Sequence, residues 1–166
     1  YYTSHTSLLN NTNADVIVIC TPNGLHAAQS IEALHKGFHV LVEKPMAIHS
    51  SDCLDMIAAA KSANKKLFVV KQNRFNAPVA AVKQALSNES FGKLYSAQIN
   101  CYWNRPSKYY EDGWRGTMEL DGGTLFTQFS HFVDLLYWMF GDVDDVAAFT
   151  TNAAHENIIQ FEDSGV

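Results

Sequence analysis

The chain has 166 residues, of which 47% are hydrophobic and 12% aromatic, enough for one globular core or for parts of two domains. Its formal charge of -5 and the lack of a basic run argue against a nucleic-acid partner. Three widely spaced cysteines exclude a disulfide framework or a cysteine-based metal site, and no apolar stretch is long enough to span a membrane, so we expect a cytoplasmic protein.

Three short apolar runs alternate with two predicted helices over residues 1–75. Crossovers of that length force the strands to be parallel, and continuous apolar runs are typical of strands buried on both faces. Helical spacing predicts one helix over residues 25–36 and another that begins at Ser50 or Ser51 and ends near Asn64. After a turn-rich lead-in over residues 1–14, the strands are Val16–Ile19, Val40–Val42 and Leu67–Val70.

Polar side chains follow each of these strands. Because the carboxyl ends of parallel strands share one sheet edge, where ligands bind in doubly wound folds, we expect a ligand site there. Glu43 and Lys44 end the second strand, and Pro45 biases Lys44 toward an extended conformation, which holds its ammonium in place. For this motif alone, the alternative is a solvated Glu-Lys pair. The other residues at this edge are Thr21, Pro22, Asn23, His26, Lys71, Gln72, Asn73 and Arg74.

The pattern changes after residue 75. A helix is predicted from Ala77 to about Leu86, and residues 93–103 alternate as in a strand of a sheet with one open face. The segment 104–123 is rich in polar and aromatic residues, which is typical of a substrate-facing loop. Another strand is expected to begin within residues 146–151.

These elements predict an α/β fold. Residues 1–75 are interpreted as the later part of a doubly wound Rossmann domain, and residues 76–166 as a connector helix with part of an α+β substrate domain whose open-faced sheet is predominantly antiparallel. No G-x-G-x-x-G motif is present in the 166 residues. Either the chain never bound a dinucleotide, or it is a fragment that begins past the phosphate loop and stops before the end of the second domain. We expect the fragment, because the sequence opens and stops in the middle of a pattern.

One long helix is predicted from Thr124 to Phe140, before Gly141. Most of its surface is apolar, which makes a water-facing polar stripe improbable and favours a ligand cleft beside it. A single histidine on such a stripe has a structural alternative, as a hydrogen-bonded residue without a chemical role. The stripe contains Thr124, Thr127, His131, Asp134 and Trp138.

Three motifs occur in order along the chain: Val16 to Asn23 with His26, then Glu43-Lys44-Pro45, then Gly122-Gly123 through His131 and Asp134 to Gly141. Together they resemble the Gfo/Idh/MocA family of nicotinamide-dependent sugar dehydrogenases, over nearly the whole chain. Within that family, residues 70–76, 103–105 and 124–131 are most similar to the UDP-N-acetyl-2-amino-2-deoxyglucuronate 3-dehydrogenases of bacterial surface-polysaccharide (lipopolysaccharide) biosynthesis.

The resemblance implies an oxidoreductase that uses NAD, with NADP as an open alternative. Lys44 would hydrogen-bond the reacting sugar hydroxyl, and His131 would take its proton while hydride leaves the ring carbon, C3 by this resemblance, for the nicotinamide. The residues implied to contact the cofactor are Thr21, Pro22, Asn23, His26, Glu43, Lys44, Gln72, Trp114 and Arg115. Those expected to contact the substrate are Lys71, Arg74, Asn104, Arg105, Lys108, Tyr109, Thr127 and Gln128.

One departure from the family and two alternatives accompany this interpretation. Many family members carry Asp where this chain has Thr127, which leaves more of the proton transfer to His131. The substrate is expected to be a nucleotide sugar, with a free sugar or a polyol such as inositol as the alternative. A non-catalytic dinucleotide-sensing regulator of the same fold is the alternative from another class. We also expect a homo-oligomer formed through the second-domain sheet.

Overall fold

The computed structural model describes residues 1–166 and confirms the predicted α/β fold class. One unit comprises Tyr1–Val70 with Thr117–Gly122, and the other comprises Lys71–Gly116 with Gly123–Val166. The first contains α1 (His5–Asn11), β1 (Val16–Ile19), α2 (His26–His35), β2 (His39–Val42), α3 (Ser50–Ser62) and β3 (Leu67–Val69). The second contains α4 (Ala77–Ser87), α5 (Thr124–Thr127), α6 (Ser130–Phe140), β4 (Thr150–Thr151) and β5 (Ser164–Gly165). None of these helices combines the length and the apolar character needed to cross a lipid bilayer.

The first unit is built on a three-stranded parallel sheet in the order β1-β2-β3, as predicted. Val16 pairs with His39, and Val40 pairs with Leu67, so the carboxyl ends of neighbouring strands lie side by side. The connections through α2 and α3 are the crossovers that parallel pairing requires. The sheet therefore brings the loops after β1 and β2 together at one edge.

The core of this unit lies between the sheet and helices α2 and α3, which pack against each other. Leu34 of α2, Met56 of α3, and Val40 and Val42 of β2 are completely buried. Burial of each such side chain contributes about 1.5–3 kcal/mol before the cost of ordering the chain is subtracted. This layer fixes the strands whose ends carry the candidate site.

The prediction that β1 is buried on both faces is wrong. Ile17 and Ile19 are buried, whereas Val16 and Val18 are 44% and 59% exposed. Successive side chains of a strand point to opposite faces, and α2 and α3 cover only the face that contains Ile17. A continuous apolar run therefore does not guarantee that both faces of the sheet are covered.

The lead-in over residues 1–14 is also more ordered than predicted. It contains α1, whose N-cap is Ser4: the Ser4 hydroxyl oxygen accepts a hydrogen bond from the backbone N–H of Ser7 at 3.2 Å. Leu9 is buried in the core of the first unit. Capping and the burial of Leu9 both favour this helix, although Asn10 and Asn11 form its end.

In the second unit, α4 forms as predicted, with Pro78 in its first turn. The predicted strand over residues 93–103 is absent. A strand needs a neighbouring backbone to accept and donate its hydrogen bonds, and the pairing in this unit is limited to β4 with β5. Of the strand expected within residues 146–151, only Thr150–Thr151 pairs, in an antiparallel ladder with Ser164–Gly165. Leu135, Ile159 and Phe161 are the buried apolar residues of this unit.

Candidate active site

Lys44 follows β2 at the carboxyl edge of the sheet. The backbone N–H of Glu43 donates to the carbonyl oxygen of Ile19 at 2.9 Å, which extends the pairing of β1 and β2 by one residue. The backbone N–H of Lys44 then donates to the Glu43 carboxylate at 3.1 Å. The Lys44-Pro45 peptide bond is cis, and Lys44 is half-buried. The backbone N–H groups of the two charged residues predicted at this edge are thus held by one hydrogen bond of the sheet and one to the Glu43 carboxylate.

His26 ties the loop after β1 to the loop after β2. Its Nδ1 lies 2.8 Å from the carbonyl oxygen of Pro45, and its Nε2 lies 2.9 Å from the carbonyl oxygen of Thr21. The ring is completely buried, and each of its nitrogens has a carbonyl oxygen within hydrogen-bond distance. The geometry gives His26 a role in holding the two loops, and the cofactor contact implied by the family resemblance stays a prediction.

Asn23, which was predicted to line the cofactor, holds a segment from much later in the chain. Its side-chain amide donates to the backbone carbonyl oxygen of Asp121 at 2.8 Å and lies 3.4 Å from the Asp121 carboxylate. The backbone N–H of the neighbouring Gly24 donates to the carbonyl oxygen of Leu120 at 3.0 Å. Asn23 and Asp121 are both buried. Sequence reasoning missed Asp121, since nothing in its local pattern indicates a partner 98 residues away.

The predicted long helix is interrupted at Gln128 and Phe129, between α5 and α6. The ideal partner of the His131 N–H would be the Thr127 carbonyl oxygen, but that oxygen accepts a hydrogen bond from the Ser130 hydroxyl at 3.3 Å. The backbone N–H of His131 donates to the carbonyl oxygen of Gln128 at 3.4 Å. The continuous helix over Thr124–Phe140 is therefore a wrong prediction. The backbone hydrogen bonds already depart from the helical pattern at Phe129, whose N–H donates to the Thr124 carbonyl oxygen at 3.1 Å.

Thr127 and His131 lie on either side of this interruption, and both are buried. The Thr127 hydroxyl donates to the carbonyl oxygen of Gly123 at 3.0 Å. A histidine at a break in a helix is held by two short elements instead of one, and irregular helical turns are frequent at functional sites. Gln128 is half-buried within the interruption itself.

Asp134, one turn after His131, is held by two cations. Arg74 donates two parallel hydrogen bonds to its carboxylate at 2.8 and 2.6 Å, and the Lys71 ammonium lies 3.7 Å from it. The bond to Asp134 raises the pKa of the Arg74 guanidinium, against the opposing effect of burial. Arg74 and Lys71, both predicted to bind anionic groups of the substrate, thus meet a carboxylate of the protein itself.

The remaining predicted substrate and cofactor residues cluster within residues 103–115. Arg105 lies over the Tyr109 ring, and Arg115 lies over the same ring as well as over that of Trp114. Asn104 and Lys108 are exposed. In the first unit Thr21 is exposed, and its hydroxyl donates a hydrogen bond to the side-chain oxygen of Gln29 at 2.8 Å. Pro22 is half-buried. Gln72 is exposed in the 3-10 turn over Gln72–Phe75.

Both parts of the chain match models of one protein family. Residues 1–71 match the oxidoreductase family with an NAD-binding Rossmann fold, and residues 79–166 match the GFO/IDH/MocA C-terminal domain. The chain belongs to the GFO/IDH/MocA family, which confirms the resemblance found in the sequence.

Solved relatives with a bound dinucleotide are similar to the whole of this chain. The WlbA dehydrogenase of Chromobacterium violaceum, crystallised with NADH and UDP-GlcNAcA, is 48% identical with a TM-score of 0.94. The WlbA dehydrogenase of Bordetella pertussis, with the same two ligands, is 44% identical with a TM-score of 0.94. Each match covers 99% of this chain and 47% of the WlbA chain.

A curated relative is a 1-carboxy-3-chloro-3,4-dihydroxycyclohexa-1,5-diene dehydrogenase of Comamonas testosteroni. It is 33% identical over 96% of this chain. The match covers 42% of that relative. The chain thus spans about half the length of the proteins that it matches.

Proposed function

We propose that this chain belongs to an NAD-dependent dehydrogenase that oxidises a ring hydroxyl, at C3, of a nucleotide-activated sugar acid. The observation that carries the proposal is the 48% identity to the WlbA dehydrogenase of Chromobacterium violaceum, whose crystals contain NADH and UDP-GlcNAcA. The carboxyl edge of the parallel sheet supports the cofactor assignment, since nucleotides bind at that edge in open α/β folds. The exposed Thr21 hydroxyl and the half-buried Lys44 at that edge suit a polar dinucleotide.

In this proposal the chain supplies the groups that handle the hydroxyl proton. His131 takes that proton as general base, because an imidazole ionises near neutral pH and can accept a proton without a large driving force. Lys44 donates a hydrogen bond to the hydroxyl oxygen and stabilises the negative charge that develops there. The nicotinamide, when bound, accepts the hydride that leaves the ring carbon. Trp114 and Arg115 stay predicted cofactor contacts, and association through the second-domain sheet stays a prediction.

The experiment is a chimera in which this chain replaces the matching part of the Chromobacterium violaceum WlbA dehydrogenase. With NAD⁺ and UDP-GlcNAcA, we expect NADH to form, and with inositol in place of UDP-GlcNAcA we expect none. His131→Ala should lower kcat by about 10²–10⁴-fold, the usual contribution of a general base, while NADH binding is retained. Lys44→Ala should also lower kcat.

Matched controls remove the same chemical groups from exposed positions. His35→Ala on α2 and Lys61→Ala on α3 should leave turnover unchanged, because both lie on helices away from the sheet edge. Turnover of inositol but not of UDP-GlcNAcA would contradict the substrate class. A chimera that binds NADH but oxidises neither compound, or one whose kcat survives His131→Ala, would contradict the assigned chemistry.

A further inference from the structure

An alternating stack of aromatic rings and guanidinium groups lies in the second unit. It runs Trp103, Arg105, Tyr109, Arg115, Trp114, and we call these five residues the arginine stack. The Arg105 guanidinium carbon is 4.3 Å from the centre of the Trp103 ring and 4.6 Å from that of Tyr109. The Arg115 carbon is 4.6 Å from the Tyr109 ring and 4.7 Å from the Trp114 ring. The Tyr109 ring is thus in contact with two guanidinium groups.

The two arginines differ in how their charges are balanced. Arg115 forms an ion pair with Asp112. Arg105 has no carboxylate partner, whereas the Nε atoms of both arginines are buried without a hydrogen-bond acceptor. A guanidinium stays charged at any physiological pH and carries five donors. An oxyanion ligand would supply the missing opposite charge at Arg105.

Arg105 lies over both the Trp103 ring and the Tyr109 ring, and a guanidinium that stacks on aromatic rings keeps the donors in its own plane for other partners. That arrangement presents a planar fork of donors, which matches the oxygens of a phosphate group. Trp103 is 57% exposed beside it. An exposed indole face is a surface on which a nucleobase stacks, at about 1–3 kcal/mol per base.

The backbone of Arg105 is held by a network of hydrogen-bonded polar groups. The carbonyl oxygen of Arg105 lies 2.8 Å from Nε2 of His155, whose Nδ1 lies 3.0 Å from the Asp163 carboxylate. That carboxylate also accepts the N–H groups of Ala153 and Ala154 at 3.0 and 2.7 Å. Burial raises the pKa of Asp163, but its hydrogen bonds outweigh that effect and hold the pKa well below its usual range.

Tyr110 links this network to the arginine stack. Its ring packs edge-on against His155 at 5.3 Å and against Tyr109 at 5.1 Å. Both the backbone of Arg105 and the ring of Tyr109 are therefore anchored to buried groups. A site whose donors are fixed before the ligand arrives loses little conformational entropy on binding.

We propose that Arg105, with the exposed face of Trp103, binds a nucleoside diphosphate, the phosphate on the guanidinium and the base on the indole. The identity of the ligand as the nucleotide part of the sugar substrate rests on the proposed function. NADH contains the same chemistry, so the experiment must separate the two sources.

The experiment titrates UDP into the 166-residue chain and follows tryptophan fluorescence in a Trp138→Phe background, in which Trp103 and Trp114 of the arginine stack are the tryptophans that remain. We expect a saturable change that weakens as salt is added. Arg105→Gln should weaken binding at least about tenfold, the usual effect of losing charge-assisted hydrogen bonds. Arg105→Lys keeps the charge without the planar fork and should fall in between.

The matched control is Lys93→Gln, which removes another cation of the same unit that lies 5.3 Å from an aromatic ring, that of Tyr95. It should leave UDP binding within about twofold of the unmodified chain, a change well below a single hydrogen bond to a charged group. A measurement that needs no substitution is the NMR resonance of the Arg105 Nε–H, which should shift on addition of UDP and not on addition of NaCl at the same ionic strength.

Several outcomes would overturn the assignment: no saturable response to UDP, equal binding after Arg105→Gln, or pyrophosphate binding as tightly as UDP, which would indicate an adventitious anion only. NADH that displaces UDP and itself depends on Arg105 would place the cofactor there instead. Failure of the proposed function and failure of this binding site give different results. UDP binding through Arg105 without turnover in the chimera contradicts the dehydrogenase alone, whereas turnover with a KM unchanged by Arg105→Gln contradicts the binding site alone.

Discussion

At the scale of single residues, the Asp134 carboxylate interacts with the side chains of both Arg74 and Lys71. The Arg74 guanidinium makes a two-pronged bond to the Asp134 carboxylate and also lies over the Trp138 ring at 5.3 Å. Asp134 and Trp138 are both on α6, and Arg74 is in the 3-10 turn Gln72–Phe75. These contacts fix α6, which carries His131, against that turn. Arg74 is thus a positioning residue for the proposed general base, through the helix that both residues share.

Arg74→Gln should lower the free energy of unfolding of the chain by about 1–3 kcal/mol, since hydrogen bonds to charged groups have that value. Arg74→Lys keeps the charge but not the two parallel bonds, so we expect a smaller loss. Urea unfolding of the 166-residue chain measures both. A double-mutant cycle with Asp134→Asn tests whether the two side chains are energetically coupled. Losses from Arg74→Gln and Asp134→Asn that simply add would show that the two residues are not coupled.

Asp163 predicts how stability depends on pH. Because its pKa is lower in the folded chain than its ordinary value of about 3.9, folding gains from the ionised form above that pH, and the gain is lost progressively as the pH falls below it. Asp163→Asn should therefore destabilise the chain at pH 6 and flatten the loss of stability on acidification. Urea midpoints measured at a series of pH values test this. Asp144→Asn, at an exposed position, is the control and should leave the acid slope as it is.

At the scale of elements, what the sequence predicts well is what local pattern controls. The three parallel strands and α2, α3 and α4 form close to their predicted limits, because apolar periodicity and capping are local signals. The error over residues 93–103 has a non-local cause, because the segment has the alternation of a strand but no partner backbone in the chain. The helix predicted over Thr124–Phe140 has continuous apolar spacing, yet the structure divides it into α5 and α6.

The packing of α2 and α3 on the sheet provides a prediction for these elements. Leu34→Ala on α2 should lower the free energy of unfolding by about 2–5 kcal/mol, because Leu34 is completely buried and its removal leaves a cavity. Leu54→Ala on α3 is the matched control: Leu54 is 67% exposed, so the same change should cost less than about 0.5 kcal/mol. Equal losses for the two variants, measured by urea unfolding, would contradict the location of the core.

At the scale of the whole molecule, the two units do not follow the order of the chain. Thr117–Gly122 belongs with Tyr1–Val70 although 46 residues of the other unit, Lys71–Gly116, separate them in sequence. Of the candidate site, the sequence placed Lys44 at the sheet edge through its strand and the proline that follows. It could not predict that Asn23 and Gly24 bind this returning segment, because a contact between distant residues leaves no periodic signal.

Gly24→Ala tests how that segment is held. A Cβ at Gly24 would lie 2.1 Å from the backbone carbonyl oxygen of Glu119, and backbone cannot move aside as a flexible side chain does. We expect the variant to release Thr117–Gly122, so that hydrogen exchange of the Gly24, Asp121 and Gly122 amides becomes faster while the amides of β2 stay protected. The control is Gly113→Ala, whose Cβ would meet nothing within 4 Å although its φ of +84° strains the local backbone. It should leave those amides as protected as in the unmodified chain. Unchanged exchange in Gly24→Ala would mean that the returning segment is held by contacts other than those around Gly24.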